Sequence, residues 1–176
     1  MRRGLPFSAD RLHLILNLAR AVIFCLPDNP FKIIRTYRIA SNSGLFDPTY
    51  YQTQLTKPLP SGQDPLVHYL TTDAETRADP HPLFDQAFYC AHGLIDRVKN
   101  ETPLTHFLRI GCQKNIDPHP LFDSSFYLDK YPDVAEQGIP PAIHFVRFGL
   151  KEGRQCHPLF DPTYYQTQLT KPLPSG

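Results

Sequence analysis

The segment Leu45–Tyr51 reads LFDPTYY, and related segments begin at Leu83, Leu121 and Leu159. Their aspartates are spaced 38 residues apart without any insertion, and a histidine that follows the first three segments has the same period. The aspartates are Asp47, Asp85, Asp123 and Asp161, and the histidines are His68, His106 and His144. A fixed period of this length is typical of tandem-repeat proteins, so these columns mark the structural positions of a repeated unit.

The same period divides the chain into five parts. We assign a leader to residues 1–44, complete repeats to residues 45–82, 83–120 and 121–158, and a truncated fourth repeat to residues 159–176. Residues 159–176 are identical to residues 45–62, and the sequence ends where a second helix is expected. We therefore expect the chain to be a fragment of a longer protein.

Each repeat begins with the signals of a helix N-terminus. In the first repeat, Asp47 is placed to cap the helix, because its carboxylate can accept the hydrogen bond of an unpaired amide. Pro48 then occupies the first helical position, where no amide donor is needed. Phe46 and Tyr51 stand at the spacing of a hydrophobic staple across this helix start. The sequence therefore predicts a short helix after each repeated aspartate.

A second helix is predicted in the second half of each repeat. Gly62, Asn100 and Gly138 mark the preceding turn, because these residue types tolerate a left-handed backbone. We expect Gly111 and Gly149 to end this helix in repeats 2 and 3. Its apolar stripe, at positions i, i+3 and i+4, comprises Leu66, Tyr69, Leu70, Leu104, Phe107, Leu108, Ala142, Phe145 and Val146. The predicted fold is all-α, with short helix-turn-helix tandem repeats stacked as an array behind an N-terminal helical leader.

Residues 1–44 form a basic amphipathic leader. They hold seven Lys and Arg residues but only two aspartates, whereas the remaining residues carry a net charge of −4. A helix from Ser8 to about Leu26, and a second one after Pro30, would each have an apolar face. Two roles fit this composition: a helical cap over the exposed core of the first repeat, and a peripheral contact with a membrane. The acidic repeats disfavour nucleic acid as a partner.

The repeated polar residues admit both a chemical and a structural interpretation. Aligned histidines and aspartates could bind a metal or relay protons, but a histidine present in every unit is more simply a hydrogen-bond partner. Successive aspartates would lie about 10 Å apart in stacked helices, which is wide for shared acid–base chemistry, and capping already explains them. The sequence contains no phosphate-binding loop, catalytic serine motif, zinc motif or D-x-D pair. We therefore predict no catalytic residue, no cofactor and no metal site.

Two further patterns bear on function and location. The adjacent aromatic residues of each repeat, such as Tyr50 and Tyr51, could stack against sugars, but their helical spacing beside a cap favours core packing. The four cysteines form no C-x-x-C pair and occupy different repeat columns. This arrangement favours reduced thiols and therefore a cytoplasmic location.

The third repeat resembles a known sequence unit. Residues Leu121 to Arg154 are similar to the pattern PLFDxxYYLxxxPDVxxxGxxPLxHYLxxGxxEGR. That repeat occurs in bacterial proteins of polysaccharide biosynthesis, often beside glycosyltransferase domains of the rhamnan-synthesis type. The match includes Tyr131–Val134 and Lys151–Arg154, whereas repeats 1 and 2 lack both Pro-Asp-Val and Glu-Gly-Arg.

This resemblance implies association with a glycosyltransferase and carries over no catalytic residue. We therefore expect a non-catalytic scaffold or interaction module in cell-surface polysaccharide biosynthesis. Its partner would be another protein or an attached glycosyltransferase domain, at the inner face of the membrane if the leader contacts lipid. The alternative is a free-standing repeat protein that binds proteins or glycans.

Overall fold

The structure, a computed structural model, describes residues 30–92 and 101–160 of the 176-residue chain. Both stretches consist of helices and connecting turns, and neither contains a β-strand. The helices are α1 (Pro30–Ser43), α2 (Pro48–Thr53), α3 (Pro65–Thr71), α4 (Gln86–His92), α5 (Pro103–His106), α6 (Ser124–Lys130), α7 (Pro132–Gln137) and α8 (Pro141–His144). The prediction of an all-α fold is confirmed for this part of the chain.

Three predictions concern residues outside these ranges. They are the helix from Ser8 to Leu26, the turn at Asn100, and the truncated repeat that contains Asp161. All three stay predictions.

The N-termini of α2 and α3 are built by aspartate capping. The Asp47 side chain accepts hydrogen bonds from two amides in the first turn of α2, at 2.8 and 3.0 Å, and its backbone is extended. Asp64 does the same for α3, at 2.8 and 3.1 Å. A proline follows each cap at the first helical position, where the missing amide costs no hydrogen bond. The turn before α3 has a left-handed backbone at Gly62, with a φ of +83°.

Three recurring aromatic clusters form most of the core. In repeat 2, the rings of Phe84, Tyr89 and Phe107 lie with their centroids 5.4 Å apart, and all three side chains are buried. The equivalent clusters are Phe46, Tyr51 and Tyr69 in repeat 1, and Phe122, Tyr127 and Phe145 in repeat 3. Tilted and edge-to-face rings at these distances stabilise a core beyond their buried area. Each cluster joins the first helix of its repeat to the second.

Helix α1 contacts residues from all three complete repeats. The Tyr37 hydroxyl donates a 2.8 Å hydrogen bond to Asp64 at the start of α3, and α1 also packs against α5. At its C-terminal end, the Arg147 guanidinium donates to the carbonyl of Asn42. Fourteen helical residues span about 21 Å, the width of two or three helices packed about 8–10 Å apart. Helix α1 therefore contacts repeats 2 and 3 in addition to the first repeat, for which a cap was expected.

The second helices of repeats 2 and 3 continue past their α-helical turns. The helix that starts with α5 passes into a π-helical turn at Phe107–Gly111, and the helix that starts with α8 passes into one at Phe145–Gly149. In the latter turn the Leu150 amide bonds to the Phe145 carbonyl, five residues earlier, at 2.8 Å. Such single π-turns insert an extra residue into a helix without ending it.

The prediction that Gly149 ends its helix is confirmed, because the π-helical turn of repeat 3 ends at this residue. The prediction for Gly111 was wrong, because a 3-10 turn at Cys112–Lys114 follows it. Gly111 has a helical φ of −58°, and the chain reaches a left-handed conformation only four residues later, at Asn115 (φ +51°) and Gly153 (φ +65°). The amide of the next residue bonds back to the glycine carbonyl, at 3.0 Å for Ile116. This bond belongs to the Schellman type of helix ending, whose left-handed residue suits Asn or Gly.

Candidate functional site

The repeated histidines are bound by the repeated tyrosines. The hydroxyl of Tyr51 lies 2.7 Å from Nδ1 of His68. The distance between the equivalent atoms is 2.9 Å in repeat 2 and 3.0 Å in repeat 3. The pairs in those repeats are Tyr89 with His106 and Tyr127 with His144. The two residues are 17 positions apart in every repeat and lie on its first and second helix. We call this contact the tyrosine–histidine pair.

A glycine makes room for the pair in repeats 2 and 3. A Cβ atom added at Gly111 would lie 2.4 Å from the Tyr89 hydroxyl oxygen, and one added at Gly149 would lie 2.5 Å from that of Tyr127. Any side chain there would overlap the tyrosine, which is fully buried. The glycine column therefore records a close approach between the two helices. Repeat 1 has Asp73 in this column, beyond the end of α3.

Burial keeps both members of the pair neutral. It lowers the pKa of His68, His106 and His144, because a desolvated imidazolium is unfavourable, and it raises the pKa of the paired tyrosines for the same reason. The hydrogen bond therefore joins a neutral hydroxyl to a neutral imidazole, and the imidazole tautomer sets which of the two atoms donates. In either case Nδ1 is occupied by a structural hydrogen bond.

The repeated aspartates within the described residues, Asp47, Asp85 and Asp123, occupy helix N-termini. The side chain of Asp85 accepts a 2.8 Å hydrogen bond from the Phe88 amide, and Asp123 accepts one of the same length from the Phe126 amide. None of these carboxylates is the hydrogen-bond partner of a repeated histidine, so the imagined His–Asp ladder is not formed. Within residues 30–92 and 101–160, no group of three His, Cys, Asp or Glu residues is arranged to hold a metal ion.

A second histidine column stabilises the turn between repeats. Nδ1 of His81 and His119 accepts the amide of the residue two positions later, at 3.0 Å in both cases. Just before them, Asp79 and Asp117 accept the first amide of α4 and α6, at 3.0 and 2.8 Å. Sequence reasoning missed these two aspartates, although their 38-residue spacing could have found them. They connect each repeat to the helix that opens the next one.

Repeat 3 contains a charged cluster built from its most distinctive residues. The Arg154 guanidinium donates to both oxygens of Asp133, at 3.0 and 2.8 Å, and lies 4.8 Å from the ring centre of Tyr131. The hydrogen bonds from Arg154 lower the pKa of the Asp133 carboxyl. A second carboxylate, Glu152, accepts a bond from the same arginine. The segments Tyr131–Val134 and Lys151–Arg154 therefore contact each other through these side chains.

The described cysteines are not placed for nucleophilic chemistry. Cys90, Cys112 and Cys156 are free thiols, as the sequence predicts. Burial raises the pKa of Cys112 to about 12 and also raises the pKa of the other two. A thiol with a raised pKa is protonated at neutral pH and is a poor nucleophile.

A cavity of about 500 Å³ lies where repeat 1 meets repeat 2. Most of its polar lining already has partners within the protein. Asp79 accepts the Gln86 amide, Arg77 donates to two backbone carbonyls, and Glu101 is paired with Arg109 at 2.7 Å. The cavity has the size of a small-ligand pocket, but these groups serve the protein's own contacts.

Comparison with known proteins identifies no relative. No protein-family model, curated protein or solved structure matches this chain. Among the described helices, none is both long enough and apolar enough to cross a membrane.

Proposed function

We propose that this chain is a non-catalytic helical repeat region of a bacterial glycosyltransferase-type protein of cell-surface polysaccharide biosynthesis. It would act as a scaffold or interaction module, with no cofactor of its own. The observation that supports this role is the tyrosine–histidine pair. The most reactive residue type in the repeat, histidine, is tied to a buried tyrosine in all three complete repeats.

The scaffold would be an array of 38-residue helix-turn-helix units. Its support is the set of contacts that cross from one unit to the next. Asp79 and Asp117 each accept the first amide of the following helix, and the Tyr69 hydroxyl donates to Gln86 at 3.1 Å. Repeat proteins are held together by such nearest-neighbour contacts, and their stacked helices present extended surfaces to partners.

The partner would be another protein or an attached glycosyltransferase domain in the cytoplasm. The similarity of residues Leu121 to Arg154 to repeats that stand beside such domains supports this choice. The leader, residues 1–44, would add a peripheral contact with the inner face of the membrane, since basic and apolar residues alternate there. Nucleic acid is disfavoured by the net charge of −4 on the other residues.

The alternative is a free-standing repeat protein that binds proteins or glycans. A glycan would occupy the cavity between repeats 1 and 2, where it would contact apolar walls and the Glu75 side chain and would compete with the internal hydrogen bonds of Gln86 and Thr102. Glycan binding would be seen as chemical-shift changes at these residues when oligosaccharides are added. The scaffold hypothesis predicts no such change.

Two assays test the proposed function directly. Incubation of the purified chain with sugar nucleotides and acceptor oligosaccharides should give no transfer and no hydrolysis above the buffer rate. Turnover that disappears in a His106→Gln variant would overturn the proposal. In the second assay, glycosyltransferase domains encoded in the same reading frame or a neighbouring one are titrated with the chain by calorimetry. The scaffold role predicts saturable binding, and its absence for every such domain would favour the free-standing alternative.

A further inference from the structure

Helix α1 has one face that the rest of the described structure leaves uncovered. Ile33 and Ala40 point into the protein and are buried. On the opposite side, Ile34 and Ile39 remain 41% and 38% exposed, and between them lie the exposed residues Arg35, Arg38 and Asn42. These five residues line a shallow depression of about 510 Å³. We call this surface the α1 face.

The α1 face is strongly basic. Helix α1 contains no acidic residue. The ion pairs within the described part of the chain join Arg109 to Glu101 and Arg154 to its two carboxylates, so none neutralises Arg35 or Arg38. Arg147 adds a third guanidinium at the end of the face, where it donates to the Asn42 carbonyl. An anionic partner is therefore the complement of this surface.

We propose that the α1 face docks on an anionic lipid surface. Guanidinium groups bind phosphate oxygens in a bidentate manner, which suits Arg35 and Arg38 to lipid headgroups. Ile34 and Ile39, one on each side of the arginines, can enter the boundary between headgroups and acyl chains, as apolar residues of interfacial helices do. The inference deepens the proposed function, because it locates the membrane contact of the leader at a defined helix face.

Two other occupants fit less well. Residues 1–29 contain four arginines and two aspartates, so their docking here would bring like charges together. An anionic lipid surface, in contrast, attracts both the arginines of residues 1–29 and those of the α1 face. Nucleic acid would satisfy the arginines, but it would leave the two isoleucines without apolar partners and would approach a chain whose remaining residues are acidic.

The test uses the full chain and two kinds of vesicle. Co-sedimentation is measured with vesicles of phosphatidylglycerol and phosphatidylcholine and with vesicles of phosphatidylcholine alone. An R35Q/R38Q variant should lose roughly 10- to 30-fold in affinity for the anionic vesicles, because each basic residue near such a surface contributes about fivefold. The matched control is K57Q/K114Q, which removes the same charge from two exposed lysines outside the α1 face. It should bind nearly as well as the unchanged protein.

Further arms separate the sources of binding. An I34S/I39S variant should also bind the anionic vesicles more weakly, which a purely electrostatic contact would not predict. Equal loss in R35Q/R38Q and K57Q/K114Q would overturn the proposal, as would undiminished binding of both α1 variants. Competition by inorganic phosphate or duplex DNA as effective as that by anionic vesicles would replace lipid with a general phosphate or nucleic-acid site. Circular dichroism verifies that each variant is folded. Sugar-nucleotide turnover would defeat the proposed function without affecting this result, so the two can fail separately.

Discussion

Repeats 1 and 3 contain the same tyrosine–histidine pair but end their second helices in different ways. In repeat 3, Gly149 lets the helix reach the Tyr127 hydroxyl, the helix ends at Gly149, and a turn leads to the left-handed Gly153. In repeat 1, Asp73 takes the place of the glycine and α3 already ends at Thr71. The second helix therefore reaches the buried tyrosine in repeat 3, where the approaching residue has no side chain.

Repeat 1 closes its shorter helix with a different side chain. The Arg77 Nε donates to the Tyr69 carbonyl at 3.1 Å, and its Nη2 donates to the Thr72 carbonyl. These bonds replace some of the backbone hydrogen bonds that the longer second helix makes in repeats 2 and 3. Repeats of equal length can thus satisfy equivalent carbonyl groups in different ways. Here the difference accompanies the change from glycine to Asp73 at one position of the repeat.

Replacement of the glycine should have the largest effect on stability. In Gly149→Ala, the new Cβ would lie 2.5 Å from the Tyr127 hydroxyl and 2.8 Å from the Phe145 ring. Overpacking of this kind costs about 2–3 kcal/mol. Chemical denaturation followed by circular dichroism measures the free energy of unfolding.

The matched control is Asp73→Ala, at the same column of repeat 1. Because this residue is exposed and lies beyond α3, the substitution should change the free energy of unfolding by less than about 0.5 kcal/mol. Addition of Tyr127→Phe should cost less in the Gly149→Ala variant than in the unchanged protein, because it also removes the overlapping oxygen. Equal losses at both columns would show that close approach is not the reason for the glycine.

Removal of the tyrosine hydroxyl should have the next largest effect, and it should be larger in repeat 3 than in repeat 1. Tyr127→Phe leaves Nδ1 of the buried His144 without its hydrogen-bond partner, which costs about 1–3 kcal/mol. Tyr51→Phe should cost less, because the Thr72 hydroxyl, which donates to the His68 carbonyl at 2.6 Å, also lies 3.4 Å from Nδ1 of His68 and can turn its proton toward that nitrogen. Both variants are measured by the same denaturation experiment.

A double variant sharpens this second test. If Thr72 is the replacement donor, adding Thr72→Val to Tyr51→Phe should cost more than the sum of the two single changes, because the histidine then loses both partners. Simple addition of the two effects would mean that Thr72 does not support His68.

The sequence predicts the helix starts well because they depend on local chemistry. An aspartate followed by proline fixes a cap and a first turn within four residues, as seen at Asp47 and Asp64. The aromatic clusters are equally readable, because their members recur at fixed positions and have the spacing of a helix face. The 38-residue period also identified the histidines as structural candidates before their partners were known.

Other features depend on contacts between distant residues and could not be read locally. Glycine near the end of a helix ordinarily indicates a left-handed stop, and only the position of the Tyr89 hydroxyl shows that Gly111 is there for space. The sequence likewise identifies His106 as a hydrogen-bond partner but not the residue it bonds to, since nothing local points to a tyrosine 17 residues earlier. The course of α1 across three repeats was missed for the same reason.

Loss of the Arg77 hydrogen bonds at the end of α3 should have a smaller effect on stability, and this effect should be confined to repeat 1. Arg77→Ala removes two hydrogen bonds to carbonyls and a cation 5.6 Å from the centre of the Tyr69 ring. We expect a loss of about 1 kcal/mol. The control is Arg109→Ala in repeat 2, whose exposed pair with Glu101 should contribute little. A larger loss for Arg109 than for Arg77 would contradict the assigned closure.

A fall in pH below neutral should have the smallest effect on stability, and it acts through the histidines that the three complete repeats share. Burial lowers the pKa of His68, His106 and His144 below the ordinary 6.5, so the unfolded chain takes up protons first as the pH falls. The histidine contribution to stability is therefore complete above pH 6.5 and is lost as the pH falls toward the folded-state pKa values. His81 and His119 change stability in the same direction. The pKa of Asp133 is lowered from 3.8, so protonation of this carboxyl affects stability only at more acidic pH.

NMR titration of the imidazole protons measures this shared behaviour residue by residue. All three histidines should titrate below 6.5 in the folded protein, although repeat 1 ends its helix differently, because burial disfavours the imidazolium in each. The Tyr127→Phe variant should allow His144 to titrate at a higher pH, since its neutral form loses the hydroxyl that it is hydrogen-bonded to, while His106 keeps its value. A histidine that titrates at or above 6.5 in the unchanged protein would show that its repeat holds the imidazole differently. The tyrosine–histidine pair would then recur in each complete repeat, but the electrostatic environment of its histidine would differ between repeats.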